Sequence, residues 1–217
     1  MKPLNEYVEH TLLKQDCTKD DLIKLFNEAK EHKFLGVCVN PAYVSLAKEH
    51  LAGSGVKIVT VVGFPLGASK SEVTAFEAKT AIEDGADEID MVMNVTAMKS
   101  KDYDYIVKDV KMVKEACGDK NLKVILETDL LTKEEIAKAC ELCVEAGANL
   151  VKTSTGFVKG GVGAKPEDVK IMHDIVAPHG MEVKASGGVR SKEDAIAVIE
   201  AGATRIGTSS GIKIVAG

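Results

Sequence analysis

Residues 145–156 have the sequence Glu145-Ala-Gly-Ala-Asn-Leu-Val-Lys-Thr-Ser-Thr-Gly156, in which a predicted helix end leads into a predicted strand. Glycine favours the left-handed backbone that follows many helices, so Gly147 predicts the end of a helix. The same joint of glycine and alanine occurs at Gly85-Ala86 and at Gly202-Ala203, each time before an apolar run. This repetition indicates a chain that is built from repeated βα units.

Short apolar runs alternate with helical patterns along the whole chain. The predicted strands lie near Tyr7–Leu13, Leu35–Asn40, Lys57–Gly63, Asp87–Met93, Leu122–Glu127, Asn149–Ser154, Glu182–Ser186 and Thr204–Thr208. Eight strands that alternate with helices in 217 residues predict a closed (β/α)₈ TIM barrel, in one domain over residues 1–217. An open doubly wound sheet is the alternative, but the glycine-rich turn that this fold usually carries after its first strand is missing.

Several helix starts are predicted from capping boxes. In this motif a Ser or Thr side chain and an acidic side chain three residues later satisfy the free N–H groups of the first turn. The motif begins at Thr18, Ser69, Thr132 and Ser191. Each of these positions precedes a segment with helical periodicity, so we expect a helix to start there.

The composition narrows the possible classes of function. The net charge is −5, with acids and bases mixed along the chain, which argues against nucleic acid as a partner. The sequence has no apolar run that could span a bilayer and no apolar run typical of a secretory leader near its start, so we expect a cytoplasmic protein without a membrane partner. The five cysteines are an odd number, which favours free thiols over a disulfide framework.

Three charged residues inside predicted strands are candidates for chemistry. Lys152 and Lys184 each follow a valine, and Asp90 stands between Ile89 and Met91. Side chains alternate between the two faces of a strand. If the apolar side chains meet the helices, the two lysines and the aspartate point into the barrel. The rule therefore predicts that two amines and one carboxylate share the barrel interior.

Two buried amines on neighbouring strands suggest a chemistry that uses a neutral amine. A lysine attacks carbonyl carbons only when it is unprotonated, and a nearby ammonium group favours that form. We therefore expect one lysine to be a nucleophile and the other to keep it neutral, while Asp90 exchanges protons. The alternatives are lysines whose amines reach water at a strand end and a structural ion pair for Asp90.

Two late segments have the features of an anion site. The segments Ser186-Gly-Gly-Val-Arg-Ser191 and Gly207-Thr-Ser-Ser-Gly211, here called the phosphate loops, each precede a predicted helix. Small residues at a helix N-terminus expose N–H groups that bind phosphate. The loops after the last two strands of a TIM barrel commonly hold such a site. Arg190 would add positive charge to it.

Metal and redox chemistry have weaker support in the sequence. The five histidines have no spacing typical of metal ligands, so neither a metal nor another cofactor is predicted. Cys140-x-x-Cys143 lies inside a predicted helix rather than at its start, which argues against a redox pair. For His10, near the predicted barrel mouth, a structural hydrogen bond is the simpler interpretation.

The chain resembles the deoxyribose-phosphate aldolase family over nearly its whole length. The matching motifs are Val37-Cys-Val-Asn-Pro41, Gly63-Phe-Pro-Leu-Gly67, Glu88-Ile-Asp-Met-Val92, Val151-Lys-Thr-Ser-Thr-Gly156 and Val183-Lys-Ala-Ser-Gly-Gly188. The resemblance implies a metal-free aldolase with a (β/α)₈ fold. Such an enzyme cleaves 2-deoxy-D-ribose 5-phosphate reversibly to D-glyceraldehyde 3-phosphate and acetaldehyde.

The resemblance also implies roles for single residues. Lys152 would form the Schiff base, while Lys184 and Asp90 would relay protons. The residues expected to bind the substrate and its phosphate are Cys38, Thr155, Gly156, Gly187, Gly188, Arg190, Ser209 and Ser210. We expect a phosphosugar substrate and a homo-oligomer of two or four copies. The alternative, a non-catalytic phosphosugar-binding barrel, leaves the inward lysines without a use.

Some positions depart from the usual pattern of that family. Glu9 replaces a usual aspartate, Gln15 a frequent proline, and Thr96 and Asp129 an expected glycine and cysteine. Some members end in a tail with a terminal tyrosine that aids proton transfer, whereas this sequence ends at Ala216-Gly217. We expect the core reaction to be kept, whereas the rate and the polar network near Glu9 are the features that these departures would affect.

Overall fold

The computed structural model describes residues 1–216. Gly217, the last residue of the segment compared with the tyrosine tail of some family members, lies outside the described residues. Its strands are β1 (Val8–Leu12), β2 (Gly36–Val39), β3 (Lys57–Val62), β4 (Glu88–Val92), β5 (Asn121–Ile125), β6 (Leu150–Lys152), β7 (Glu182–Ser186) and β8 (Arg205–Thr208). Its α-helices are α1 (Lys19–Glu31), α2 (Val44–Leu51), α3 (Ser71–Asp84), α4 (Val95–Lys99), α5 (Tyr103–Cys117), α6 (Lys133–Glu145), α7 (Pro166–Val176), α8 (Lys192–Glu200) and α9 (Gly211–Ala216). Short 3₁₀ turns occur at Leu4–Tyr7, Pro41–Tyr43, Thr128–Leu130 and Ala177–His179.

The strands close into a barrel in chain order. Each strand is parallel to its neighbours, and β8 pairs with β1, with Val8 beside Ile206. The predicted (β/α)₈ barrel is therefore confirmed, and the open sheet is excluded because β1 has a strand partner on both sides. That residues 1–217 form a single domain stays a prediction.

Local sequence rules set most of the helix ends. Capping boxes form at Thr18, Thr132 and Ser191, as predicted. The glycines of the repeated joints have positive φ angles, 118° at Gly85 and 77° at Gly147, which a side chain would disfavour. These joints let β4, β6 and β8 begin shortly after the preceding helices.

The capping box predicted at Ser69 is wrong. Helix α3 begins at Ser71, and its N-cap residue Lys70 makes no side-chain capping hydrogen bond. Ser71 is buried, and its side chain lies close to Asp109 of α5. Because α3 packs closely against α5, tertiary contacts set the start of this helix instead of a local cap.

The outward faces of the strands pack against the helices. The main apolar core between the barrel and the helices includes Val37, Ile89, Met91, Val151 and Val183. The alternation that assigned these side chains outward is therefore confirmed. No helix within residues 1–216 is long and apolar enough to cross a membrane.

The barrel interior has an apolar part and a charged part. The apolar part is a small cluster that contains Leu13, Cys38, Val59 and Val61. The charged part comes from β1 and from β4 to β7, and we call it the ionic network. Its members are Glu9, Glu88, Asp90, Lys123, Lys152 and Lys184. The charged side chains are therefore concentrated on one side of the barrel interior.

Candidate active site

The ionic network contains three carboxylates and three amines. Each of the six side chains belongs to a residue that is at most 3 % exposed. Burial of an isolated charge is very costly, whereas a buried charge with a partner of opposite sign is tolerated. The equal numbers of both signs explain how so many charged groups can share the barrel interior.

Asp90 lies at the centre of the network. Its Oδ2 atom accepts hydrogen bonds from Lys152 Nζ at 2.8 Å and from Lys184 Nζ at 2.7 Å. The two lysines are paired residues on β6 and β7. A single carboxylate oxygen therefore stands between two amines and can accept a proton from either of them.

Charge and burial oppose each other in this network. Burial alone would raise the pKa of Asp90, but the ammonium groups of Lys123, Lys152 and Lys184 hold it well below its ordinary value. Burial would lower the pKa of Lys184, but the carboxylates of Asp90 and Glu9 raise it above its ordinary value. At neutral pH the resting protein therefore has an ionised Asp90 and a charged Lys184.

Of the ionic network, only Lys152 lines the cavity at the carboxyl ends of the strands. The cavity has a volume of about 230 Å³ and lies between the segments that follow β1, β6, β7 and β8. The predicted binding residues that line it are Thr155, Gly156, Gly187, Gly188, Arg190 and Ser209. The structure therefore brings six of the predicted binding residues around one buried amine.

Two predicted binding residues do not line this cavity. Cys38 is fully buried in the apolar interior cluster, and burial raises the pKa of its thiol. Ser210 lines a larger neighbouring groove of about 660 Å³ between β1, α1 and α9. Lys152 does not line that groove, so the smaller cavity is the better candidate for the site. Contact of Cys38 or Ser210 with a substrate stays a prediction.

The groove beside the cavity is bordered by a buried histidine. His10 is only 3 % exposed, and its Nε2 atom lies 2.9 Å from Glu28 Oε2. The partner for its ring agrees with the structural hydrogen bond that the sequence suggested for this residue.

The first phosphate loop has the backbone that its glycines predict. Gly187 and Gly188 have φ angles of 78° and 76°, which residues with a side chain rarely adopt. Asp194 of α8 accepts hydrogen bonds from the backbone N–H groups of Arg190 and Ser191, each at 3.0 Å. These bonds fix the end of the loop where it enters α8.

An aromatic pair borders the cavity. Phe157 lines it directly and contacts Phe64 edge to face, with ring centroids 5.1 Å apart. Phe64 packs in turn on the apolar interior cluster. The loop after β3 therefore supports one wall of the cavity through Phe64.

The fold and this geometry agree with one family of enzymes. Residues 6–217 match the model of the DeoC/LacD family aldolases. The match covers almost the whole chain.

The chain belongs to the DeoC/LacD aldolase family.

Relatives across the family are similar over the same length. The chain is 59% identical over 214 residues to a deoxyribose-phosphate aldolase of Finegoldia magna, with 99% of both chains covered. It is 60% identical over 215 residues to that of Clostridium novyi, covering 99% of this chain and 96% of the relative. A solved deoxyribose phosphate aldolase of Aeropyrum pernix, described as a unique tetramer, is 34% identical with a TM-score of 0.88, and the match covers 98% of this chain and 89% of that one.

Sequence reasoning missed Lys123 of this aldolase. Its neighbours Leu122 and Val124 belong to the outer core, so the alternation that found Lys152 also points Lys123 inward. Lys123 Nζ lies 2.6 Å from Glu88 Oε2, 2.9 Å from Asp90 Oδ1 and 3.5 Å from Glu9 Oε1. Burial would lower its pKa, but Asp90 and Glu9 raise it.

Glu9, one of the positions expected to depart from the family pattern, is part of the ionic network. Its carboxylate accepts a hydrogen bond from Lys184 and pairs with Lys123. Lys184 is therefore held between Glu9 and Asp90. The Glu9 side chain therefore contacts two of the three amines of the ionic network.

The described residues contain no evident metal site. Within residues 1–216, no three or more His, Cys, Asp or Glu side chains are grouped so that they could hold a metal ion. The carboxylates of the ionic network are paired with lysines instead. That the aldolase needs no metal or other cofactor stays a prediction for experiment.

Proposed function

We propose that this chain cleaves 2-deoxy-D-ribose 5-phosphate reversibly to D-glyceraldehyde 3-phosphate and acetaldehyde, through an imine on Lys152. Membership in an aldolase family and the names of its relatives support this reaction. The observation that carries the proposal is the position of Lys152. Its amine lines the cavity and shares one oxygen of Asp90 with the amine of Lys184.

The first step in the proposed reaction joins Lys152 to the sugar. The Lys152 ammonium loses a proton, and Asp90 Oδ2, at 2.8 Å, is the acceptor in contact with it. The neutral amine then adds to the C1 aldehyde of the open-chain sugar. Loss of water gives the imine, and Lys184 supplies the proton for the departing hydroxyl group through the shared carboxylate.

The second step breaks the bond between C2 and C3. The protonated imine withdraws electrons from this bond while a base removes the proton of the C3 hydroxyl group. D-glyceraldehyde 3-phosphate leaves, and an enamine remains on Lys152. Protonation of the enamine at C2 and addition of water release acetaldehyde and the free amine, so the water lost at imine formation is restored.

Asp90 and Lys184 are proposed to move the protons in both steps. An ionised carboxylate beside a charged amine can accept one proton while the amine donates another. Neighbours of opposite charge lower the pKa of Asp90 and raise the pKa of Lys184. At neutral pH Asp90 is therefore an ionised proton acceptor, and Lys184 is a charged proton donor. Glu9 supports it by holding the other side of Lys184.

The loops around the cavity are proposed to hold the rest of the substrate. Gly187, Gly188 and Ser209 would present backbone N–H groups to the phosphate, and Arg190 would add positive charge. Charge-assisted hydrogen bonds to the phosphate would contribute mainly to the affinity for the substrate.

A cleavage assay with matched variants tests the proposed function. The purified parent is expected to release acetaldehyde and glyceraldehyde 3-phosphate in equal amounts, also in the presence of EDTA. Lys152→Met is expected to bind the sugar phosphate without cleaving it, whereas Lys159→Met, at an exposed lysine of the same loop, should remain active.

Two outcomes of this assay would contradict the proposed function and favour another. Binding of the sugar phosphate by the parent without any cleavage would favour the non-catalytic phosphosugar-binding barrel. Activity that EDTA removes and a divalent ion restores would favour a metal-dependent aldolase.

We further propose a homo-oligomer, a dimer or a tetramer, located in the cytoplasm. The tetramer described for the Aeropyrum pernix relative supports assembly, and Leu66, Val73 and Phe76 expose large apolar side chains near the start of α3. The five free cysteines suit a reducing compartment. Light scattering at micromolar concentration tests the assembly, and a monomeric mass would contradict it.

A further inference from the structure

The loop between β6 and α7, residues 153–165, has little conformational preference of its own. It contains Gly156, Gly160, Gly161 and Gly163, three of which have positive φ angles between 77° and 84°. Glycine gains this freedom at an entropic cost on folding, because many backbone conformations are open to it. The position of the loop therefore depends on the groups that hold it.

The far end of this loop packs directly on the first phosphate loop. Ala164 N donates a hydrogen bond of 2.9 Å to the carbonyl oxygen of Gly187. A Cβ atom on Gly163 would overlap the Gly187 carbonyl group, and one on Gly188 would overlap the carbonyl oxygen of Val162. The two backbones are so close that a shift of one requires a shift of the other.

Asp129 holds this end of the loop. It lies on the 3₁₀ turn Thr128–Leu130 after β5 and is half-buried. Its Oδ1 atom accepts a hydrogen bond from Val162 N at 3.1 Å, and its Oδ2 atom accepts one from Gly163 N at 2.8 Å. Both bonds are charge-assisted, which makes them stronger than bonds between neutral groups.

The residue before this turn, Glu127, holds the beginning of the loop. Glu127 accepts hydrogen bonds from the backbone N–H group of Thr155, at 3.1 Å, and from the Thr155 hydroxyl group. Two carboxylates, Glu127 just before the 3₁₀ turn and Asp129 within it, thus hold the two ends of the β6–α7 loop. Glu127 acts beside the cavity itself, whereas Asp129 acts at the contact with Gly187 and Gly188.

We propose that Asp129 is a positioning residue for the phosphate site: it fixes residues 162–163 and through them the backbone of Gly187 and Gly188. The inference rests on the proposed function for its substrate. Asp129 does not line the cavity, so its effect reaches the phosphate only through the loop. Its loss should weaken binding of the phosphate and leave the chemistry at Lys152 largely unchanged.

The test compares phosphorylated and unphosphorylated substrates in matched variants. Loss of both bonds in Asp129→Ala is expected to raise KM for 2-deoxy-D-ribose 5-phosphate about 10- to 100-fold, with kcat changed less than about threefold. The efficiency with 2-deoxy-D-ribose should change less than about twofold, and Asp129→Asn, which keeps one acceptor oxygen, should be intermediate. Asp87→Ala is the control, because Asp87 also accepts a backbone hydrogen bond, from Ile58 N at 2.8 Å, but at the opposite end of the barrel.

Two results would overturn the inference. One is an unchanged KM for the sugar phosphate in Asp129→Ala, and the other is an equal loss with both sugars, which would indicate general damage to the cavity. If Asp129→Ala does not fold, the same comparison is made with Asp129→Asn.

A binding measurement separates this inference from the proposed function. Calorimetry with inorganic phosphate reports on the phosphate site even if the parent cleaves no sugar. Weaker phosphate binding in the Asp129 variants than in the parent and Asp87→Ala supports the inference, and equal binding contradicts it.

Discussion

The Nζ atom of Lys152 lies 2.8 Å from Oδ2 of Asp90. The proposed nucleophile therefore rests against a carboxylate, not only beside a second amine as the two-lysine pattern suggested. Lys184 donates to the same oxygen at 2.7 Å. A proton that leaves Lys152 thus has an acceptor in contact, and the acceptor is itself bonded to a donor.

Removal of the Lys184 charge should move imine formation to higher pH. In Lys184→Met, Asp90 keeps only the amines of Lys123 and Lys152 as partners, so its carboxylate should attract the Lys152 ammonium more strongly. We expect the pH profile of borohydride-trapped imine to move upward. Cleavage should stay slow even where imine forms, because the proton donor is missing. An unmoved trapping profile would show that Lys184 does not influence Lys152.

Lys123 should contribute strongly to stability. Lys123→Met removes the shared partner of Glu9, Glu88 and Asp90 and leaves buried carboxylates with less compensation. Loss of one partner from a buried ion pair costs about 3–5 kcal/mol, so we expect a decrease of this size in the free energy of unfolding. Urea unfolding measures it, with Lys111→Met at an exposed lysine as the control. A decrease no larger than that of the control would mean that the network does not need its third amine.

Glu88 should make the protein sensitive to acid. Burial would raise the pKa of Glu88, but Lys123, Lys57 and Arg205 lower it from an ordinary value of 4.5 to about 2. A carboxyl group with a lowered pKa stabilises the fold above its unfolded pKa, and this stabilisation is lost as the pH falls toward the folded pKa. The expected contribution is about 3 kcal/mol at neutral pH, lost between pH 4.5 and 2.

The variant Glu88→Gln isolates that contribution. Its deficit in the free energy of unfolding should be largest at pH 7 and should shrink as urea unfolding is repeated at pH values below 4.5. Glu200→Gln, at an exposed carboxylate, should show no such trend. A deficit that stays constant down to pH 3 would contradict the role of the Glu88 charge.

The backbone position of the first phosphate loop should affect the binding of the substrate phosphate, and not only folding. In Gly188→Ala, the new Cβ would overlap the carbonyl oxygen of Val162, so the loop must move away from its contact with the β6–α7 loop. We expect KM for the sugar phosphate to rise about tenfold or more, because charge-assisted hydrogen bonds are lost. Gly180→Ala is a matched control, because Gly180 has a similar φ of 74° but open space around its Cβ position. Equal KM values in the two variants would contradict a role of this loop in phosphate binding.

The fold could be predicted because its signals are local and repeat along the chain. Side-chain alternation and the joints at Gly85, Gly147 and Gly202 depend on neighbouring residues alone. The start of α3 was predicted wrongly because its first residue, Ser71, is buried, and the local sequence does not give this burial.

The candidate site was predicted only in part. Alternation found the inward faces of Lys152, Lys184 and Asp90, and the same rule applied to β5 would have found Lys123. Alternation does not give the depth of a side chain along the barrel axis. Cys38 faces inward yet lies in the apolar cluster away from the cavity, and this depth follows from the register of the strands.

The most direct test of the central claim is to identify the residue that carries the imine. The parent is incubated with 2-deoxy-D-ribose 5-phosphate and borohydride, digested, and mapped by mass spectrometry, beside Lys184→Met and Lys159→Met treated in the same way. We predict a reduced adduct on Lys152 in the parent and in Lys159→Met, because the Lys152 amine lines the cavity while Asp90 and Lys184 serve it from within the barrel. An active parent with its adduct on another lysine, or with no adduct at all, would contradict the assignment of Lys152 as the nucleophile.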